Sequence, residues 1–203
     1  RRSLATSIYL SLKMGMPIFL EGEPGVGKTE VAKVLARILD TELIRLQCYE
    51  GLDVHNAIYE WNYSKQILQI RLLEAGGETD NEKMAQEIFG QDFLIKRPLY
   101  QALEHKGETP AVLLIDELDR ADEEFEAYLL EILSDFQISI PEIGTIKADN
   151  PPVVVITSNR TREIHDALKR RCLYHWIDYP SAEQEFEIVK RKIPAVNKIL
   201  GKQ

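Results

Sequence analysis

The chain has 203 residues, 44% of them apolar and 29% charged, with a net charge of −8. That length supports one sizeable core, or a core with a small appendage, in an ordinary globular balance. The charge excludes general attraction to duplex nucleic acid, leaving room only for a local basic groove.

No apolar run approaches the length of a membrane span, and no signal peptide is visible. The chain begins at Arg1 and not at Met, as expected of a fragment or a trimmed piece. Its cysteines, Cys48 and Cys172, lack C-x-x-C spacing and read as half-buried, reduced thiols of an intracellular protein.

In chain order, Leu4, Ile8 and Leu12 share one face of a helix over Leu4–Lys13, which Gly15 and Pro17 end. Ile18–Leu20 reads as a short buried strand. From Thr29, Val31, Val34, Leu35, Ile38 and Leu39 recur at helical spacing. Glu42–Cys48 reads as a second strand. Leu52–Lys106 has a mostly helical pattern, interrupted by Gly76–Glu82. Ala111–Asp116 is a third strand, whose successive apolar residues suit a parallel strand covered on both faces.

Glu123–Phe136 predicts an amphipathic helix, and Gln137–Ala148 two short strands around Pro141–Gly144. Pro152–Thr157 is another buried strand, Thr161–Arg171 is helical, and Leu173–Tyr179 is a fifth strand. Ser181, with Gln184 three residues on, opens a final helix over Ala182–Lys192. Strands separated by helices predict an α/β domain with a mainly parallel sheet.

Gly22-Glu23-Pro24-Gly25-Val26-Gly27-Lys28-Thr29 fits the phosphate-binding pattern G-x-x-x-x-G-K-[ST], with a strand before it and a helix after it. Glycines let backbone N–H groups approach phosphate oxygens, and the next helix offers its positive end, beginning at Thr29 and Glu30, to the same anion. In this pattern Lys28 bridges the β- and γ-phosphates and the Thr29 hydroxyl meets Mg²⁺. Asp116 and Glu117 follow an apolar strand: the first can hold the Mg²⁺ water shell, the second can polarise attacking water. Alone, that pair reads equally well as an acidic helix cap. Asn159 ends the stretch VVVITSN and either orients the lytic water or contacts the γ-phosphate; equally, Asn159 or Thr161 caps the next helix. Arg170 and Arg171 form either a solvated basic face or an arginine finger reaching a neighbouring subunit, worth about 10³ to 10⁵ in rate.

GEPGVGKT, VLLIDE, VITSN and ALKRRC, in that order, resemble the AAA+ ATPases over nearly the whole chain. The resemblance implies ATP and Mg²⁺ as cofactors and a P-loop NTPase fold: a three-layer αβα sandwich on a five-stranded parallel sheet, order 5-1-4-3-2, followed by a small helical lid. Residues 1–180 would be the nucleotide-binding core and 181–203 the start of a lid cut short at Gln203, before the family's sensor-2 arginine. The segment over about 52–106 resembles a helix-2 insert, and that over about 137–148 a pre-sensor-1 hairpin. DELDRAD and RPLYQAL resemble the MoxR family. QCYEGLDVHNAIYEWNYSKQIL resembles its branch linked to maturation of carbon-monoxide dehydrogenase and other molybdenum hydroxylases. By the same resemblance Arg171 is the first finger candidate and Arg170 the second.

His55, His105, His165 and His175 have no paired metal spacing, and no serine-nucleophile signature is present. Tyr49, Tyr59, Trp61 and Tyr63 read as a helix face packed on the core, with a partner surface as the alternative. The acidic run Asp119–Glu126 reads as a solvated helix N-terminus. The expected function is an ATP-driven remodelling chaperone in a ring, a hexamer by resemblance, acting on a client protein such as a molybdenum hydroxylase. The MoxR resemblance implies a von Willebrand A-type partner; a cytoplasmic location is expected, with peripheral membrane attachment through partners as the alternative. The alternatives are a DNA-associated motor, disfavoured because the hairpin holds only Lys147, and a non-catalytic nucleotide switch.

Overall fold

The computed structural model describes residues 2–76 and 87–192. Helix α1 (Arg2–Met14) leads to strand β1 (Ile18–Gly22), helix α2 (Lys28–Leu39) and β2 (Leu43–Gln47). Then come α3 (Val54–Ile58), β3 (Tyr59–Trp61), α4 (Tyr63–Ala75), β4 (Leu94–Lys96) and α5 (Pro98–Glu104). The second half runs β5 (Val112–Asp116), α6 (Glu123–Asp135), β6 (Gln137–Ile140), β7 (Gly144–Lys147), β8 (Val153–Ser158), α7 (Asp166–Lys169), β9 (Leu173–Ile177) and α8 (Ala182–Lys192).

Five strands form one parallel sheet in the order β2-β5-β8-β1-β9. Numbered among themselves these are strands 2-3-4-1-5, the expected 5-1-4-3-2 from the other edge; β3, β4, β6 and β7 lie in two separate hairpin sheets. All of β1 and β5 is buried, which is why both open on apolar runs, Ile18–Leu20 and Val112–Ile115, with the buried carboxylates Glu21 and Asp116 only toward their carboxyl ends. Alternate residues face opposite layers. Phe19, Leu113, Ile115 and Ile156 pack toward Leu99, Phe125 and Leu129, while Ile18, Leu20, Leu114 and Val155 pack toward Ala32, Leu35 and Ala36. Burying each large side chain contributes about 1.5 to 3 kcal/mol, so the sheet holds rigid the ends of β1, β5 and β8.

The structure corrects several expectations. In α1, Leu12 is exposed, and Ser11 takes the inward place because its hydroxyl donates to the Met16 carbonyl at 2.6 Å. The region expected to be mostly helical contains the antiparallel pair β3–β4, with Tyr59 opposite Lys96 and Trp61 opposite Leu94. Alternating aromatics favour a half-buried strand there. Tyr59 and Trp61 therefore pack on the core from a strand, edge to face at 5.9 Å, while Tyr49 and Tyr63 are exposed. Asn62 starts α4 by accepting the Lys65 N–H at 3.0 Å. Gly76 follows α4 directly; residues 77–82 of the expected interruption lie outside the described residues. Both cysteines are fully buried, and burial pushes each thiol up to about 12.

The Thr161–Arg171 stretch is helical only over α7. Upstream, Asp119 after β5 and Glu126 on α6 accept backbone N–H groups of the stretch, those of Thr161 and His165. The acidic run is likewise not all solvated: Asp122 caps α6 by accepting the Phe125 N–H, but Asp119 and Glu126 are buried. Glu126 accepts the His165 N–H at 2.8 Å and pairs with Arg162, which also donates to the Ala121 carbonyl. The expected hairpin forms as β6–β7, and Ser181 accepts the Gln184 N–H at 3.4 Å at the start of α8.

Candidate functional site

Strand β1 delivers the chain to Gly22, where a Cβ would lie 2.3 Å from the Ile177 carbonyl oxygen, so only glycine fits beside β9. The loop ends at Gly27, whose φ of 95° is left-handed and opens α2. Lys28 is 6% exposed, and its ammonium donates to the carbonyls of Gly22 (2.7 Å) and Glu23 (2.8 Å). Burial lowers its pKa, against the opposing pull of Asp119, Asp116, Glu23 and Glu117. A buried cation held by carbonyl oxygens at a helix N-terminus is a strong anion attractor.

Thr29 donates its hydroxyl to Asp116 at 3.1 Å, joining α2 to the end of β5. Asp116 is 2% exposed and fully engaged. Its Oδ1 accepts the Thr157 hydroxyl at 2.6 Å; its Oδ2 accepts Arg45 Nε at 3.0 Å and Nη2 at 2.6 Å. Glu117 turns left-handed (φ 56°), a conformation that costs about 1 to 3 kcal/mol and collects at functional sites. Its N–H donates to Thr157 at 2.9 Å, and its carboxylate pairs with Arg120 at 2.8 Å.

Asn159 and Thr161 do not cap the following helix; His165 does, accepting the Ala167 N–H at 3.2 Å. Instead Asp119 accepts the N–H of Asn159 (3.1 Å), the N–H of Thr161 (2.9 Å) and the Thr161 hydroxyl (2.6 Å). Burial alone would raise the Asp119 pKa, but these bonds outweigh it and hold the group below the ordinary carboxylate range. The ends of β5 and β8 are thus cross-braced: Thr157 orients Asp116 and Glu117, and Asp119 orients Asn159.

These elements enclose a polar cleft of about 290 Å³ bordered by Pro24, Lys28, Thr29, Asp116, Glu117 and Asn159. Across the loop, Gly25–Gly27 also border an apolar groove of about 450 Å³ with Leu4, Ile8, Val31 and Val34. Ile38 lies on the same groove and is 74% exposed, an apolar side chain of α2 left without cover. Glu30 borders both spaces, Val26 borders the groove but not the cleft, and Glu23 contributes its carbonyl to Lys28. Arg170 and Arg171 are exposed, do not border the cleft, and have no ion-pair partner among the described residues.

The donor set fits a hydrated magnesium nucleotide: a hydroxyl and a carboxylate 3.1 Å apart are hard oxygen ligands, beside a glycine loop and a buried ammonium. No group of three metal-ligating side chains occurs among the described residues. His105 faces the Thr109 carbonyl at 3.2 Å and His175 faces Ser7 at 3.3 Å; the His55 side chain is not described. Sequence reasoning missed Arg45, Thr157 and Asp119. Arg45 had one signal, a charge between the inward Ile44 and Leu46.

Residues 17–172 match the family described as AAA domain (dynein-related subfamily). A solved structure from Cytophaga hutchinsonii, assigned as an ATPase, is similar with a TM-score of 0.66 and 22% identity, covering 97% of this chain and 51% of that one. Two structures of Thermotoga maritima RuvB, one of a single-residue variant and one described as a Holliday junction branch migration motor, are similar with TM-scores of 0.54 and 0.52. Both are 19% identical and align over 97% of this chain and 50% of theirs. These likenesses bear on the fold, and the chain spans about half the length of each structure. None of the curated proteins matches this chain in sequence.

Proposed function

The chain belongs to the AAA domain family, dynein-related subfamily, and from that premise we propose that it hydrolyses ATP and spends the free energy on remodelling a client protein. The observation that carries this reading is the convergence of Lys28, Thr29, Asp116, Glu117 and Asn159 on one cleft from three strand ends. The triphosphate would lie in the Gly22–Thr29 loop, with the base toward the groove between Leu4, Ile8 and Val31. Bound Mg²⁺ would supply charge neutralisation on the phosphate oxygens, held by the Thr29 hydroxyl and, through water, by Asp116. Lys28 would leave its carbonyl partners for the β- and γ-phosphates. Glu117 would accept a proton from the attacking water, with the Asn159 amide orienting that water. ATP and water give ADP and phosphate.

Glu117 pairs with Arg120, and neither finger candidate borders the cleft of its own chain. That arrangement supports a ring in which Arg171, or else Arg170, completes a neighbour's site. A hexamer follows from the family resemblance. Residues 1–180 would act as the core and 181–203 as the beginning of the lid, with the 52–106 region and the β6–β7 hairpin as the moving client surface. MoxR-type resemblance favours a metalloenzyme precursor such as a molybdenum hydroxylase as client, a von Willebrand A-type partner, and a cytoplasmic location. No described helix is long and apolar enough to cross a membrane.

Capture on a Glu117→Gln trap loaded with ATP tests the reading: a protein client retained with ATP and released with ADP is expected. The likeness to RuvB favours a second reading, a DNA-associated motor, although β6–β7 carries only Lys147 as a basic residue. Salt-steep DNA binding by the assembled protein, with no protein client on the trap, would replace the first reading by the second.

A further inference from the structure

Asp116 is the carboxylate on which the metal-facing side of the cleft depends, and its hydrogen-bonding capacity is already spent. Each carboxylate oxygen accepts about two bonds. Oδ1 takes the hydroxyls of Thr157 and Thr29, the latter shared at 3.3 Å with Oδ2, and Oδ2 takes two guanidinium N–H groups of Arg45. When Thr29 turns its oxygen to a metal, it frees a place on Oδ1. A place on Oδ2 appears only if Arg45 leaves. A guanidinium in charge-assisted contact with that oxygen also sets a fixed positive charge beside the position a divalent cation would take.

Two features let Arg45 move. It stands on β2, the edge strand of the sheet, and its side chain is 49% exposed. Its Nη2 also donates to the Gln47 side-chain oxygen, two residues along the same strand, so a second acceptor holds the guanidinium once Asp116 is released. Arg45 therefore has both an occupied seat on the carboxylate and a neighbouring one.

We propose that Arg45 is a positioning residue that acts as a counter-ion to Asp116 in the nucleotide-free site and is exchanged for magnesium, setting the Mg²⁺ concentration at which nucleotide is held. The proposal rests on the reading of the Gly22–Thr29 loop as a magnesium–nucleotide cradle. Without Arg45, Asp116 keeps Thr157 and Thr29 to orient it, and the cation meets an uncompensated carboxylate.

The test is a Mg²⁺ titration of a fluorescent ADP analogue bound to the whole chain, with no turnover measured. Arg45→Gln is expected to lower the Mg²⁺ midpoint at least five-fold while changing affinity in EDTA less than two-fold. An unchanged or raised midpoint overturns the proposal. Gln47→Leu removes the second seat and is expected to raise the midpoint. If Arg45→Gln does not fold, Arg45→Lys, which keeps the charge but loses the two-pronged contact, is expected to lower it at least two-fold, and no change overturns the proposal. If the unmodified chain binds no nucleotide with or without Mg²⁺, the cradle reading itself fails. If it binds with Mg²⁺ dependence but the variants match it, only the role of Arg45 fails.

Discussion

Thr29 and Asp116, 87 positions apart in the chain, meet with the threonine hydroxyl 3.1 Å from the carboxylate. The contact exists because β1 and β5 both end at the same edge of a parallel sheet, with β8 between them. Ligands of such sheets bind at the carboxyl ends of the strands, where Lys28, Thr29, Asp116, Glu117 and Asn159 are gathered.

Lys28→Ala removes the buried ammonium now held by the Gly22 and Glu23 carbonyls. A charged hydrogen bond is worth about 1.5 to 3 kcal/mol, so nucleotide affinity should fall about 10- to 150-fold. Calorimetry checks this, and wild-type affinity in the variant would remove Lys28 from the phosphate site.

Glu117→Gln keeps the backbone bond to Thr157 but cannot take a proton. Binding should persist while turnover falls about 10²- to 10⁴-fold, the usual worth of a general base. Phosphate release under single-turnover conditions measures it. Undiminished release would assign the base elsewhere.

Arg171→Ala should leave nucleotide binding intact and cut hydrolysis by about 10³- to 10⁵-fold in the assembled protein. Mixing it with Glu117→Gln should restore part of the rate, because a mixed ring contains interfaces with one intact site and one intact finger. A loss confined to Arg170→Ala would move the role by one residue.

Asp119 predicts a pH dependence. Its folded pKa lies below the reference value of 3.8 through the bonds from Thr161 and Asn159. Its stabilisation is therefore present above that value and lost as pH falls through the folded value. Melting temperature measured from pH 6 to pH 3 should drop in the acid range. Asp119→Asn should start lower at pH 6 and drop less; parallel curves would show that another group governs the acid limb.

The sheet was legible because β1, β5 and β8 are buried on both faces and so are apolar until the polar residues at their carboxyl ends. The phosphate loop was legible because Gly22 and Gly27 are required by a close approach and a left-handed turn that no other residue meets as well. The β3–β4 pair was not, since Tyr59 and Trp61 suit a helix face as well as a short strand until Lys96 and Leu94, more than thirty residues on, are seen opposite them. Asp119 and Glu126 read as solvated acids because their partners, Asn159, Thr161 and Arg162, come from a distant segment. Arg45 was missed for the same reason: local spacing says nothing of a carboxylate on the adjoining strand.

The Glu126 contacts have a mechanical consequence. Glu126, in the first turn of α6, ties that helix to the run that leads toward Arg170 and Arg171, and parting it from Arg162 would strand a buried charge at about 3 to 5 kcal/mol. Thermal agitation alone seldom supplies that. A displacement of the Asn159–Arg162 segment would therefore either be passed to α6 through Arg162 and Glu126 or have to break that pair.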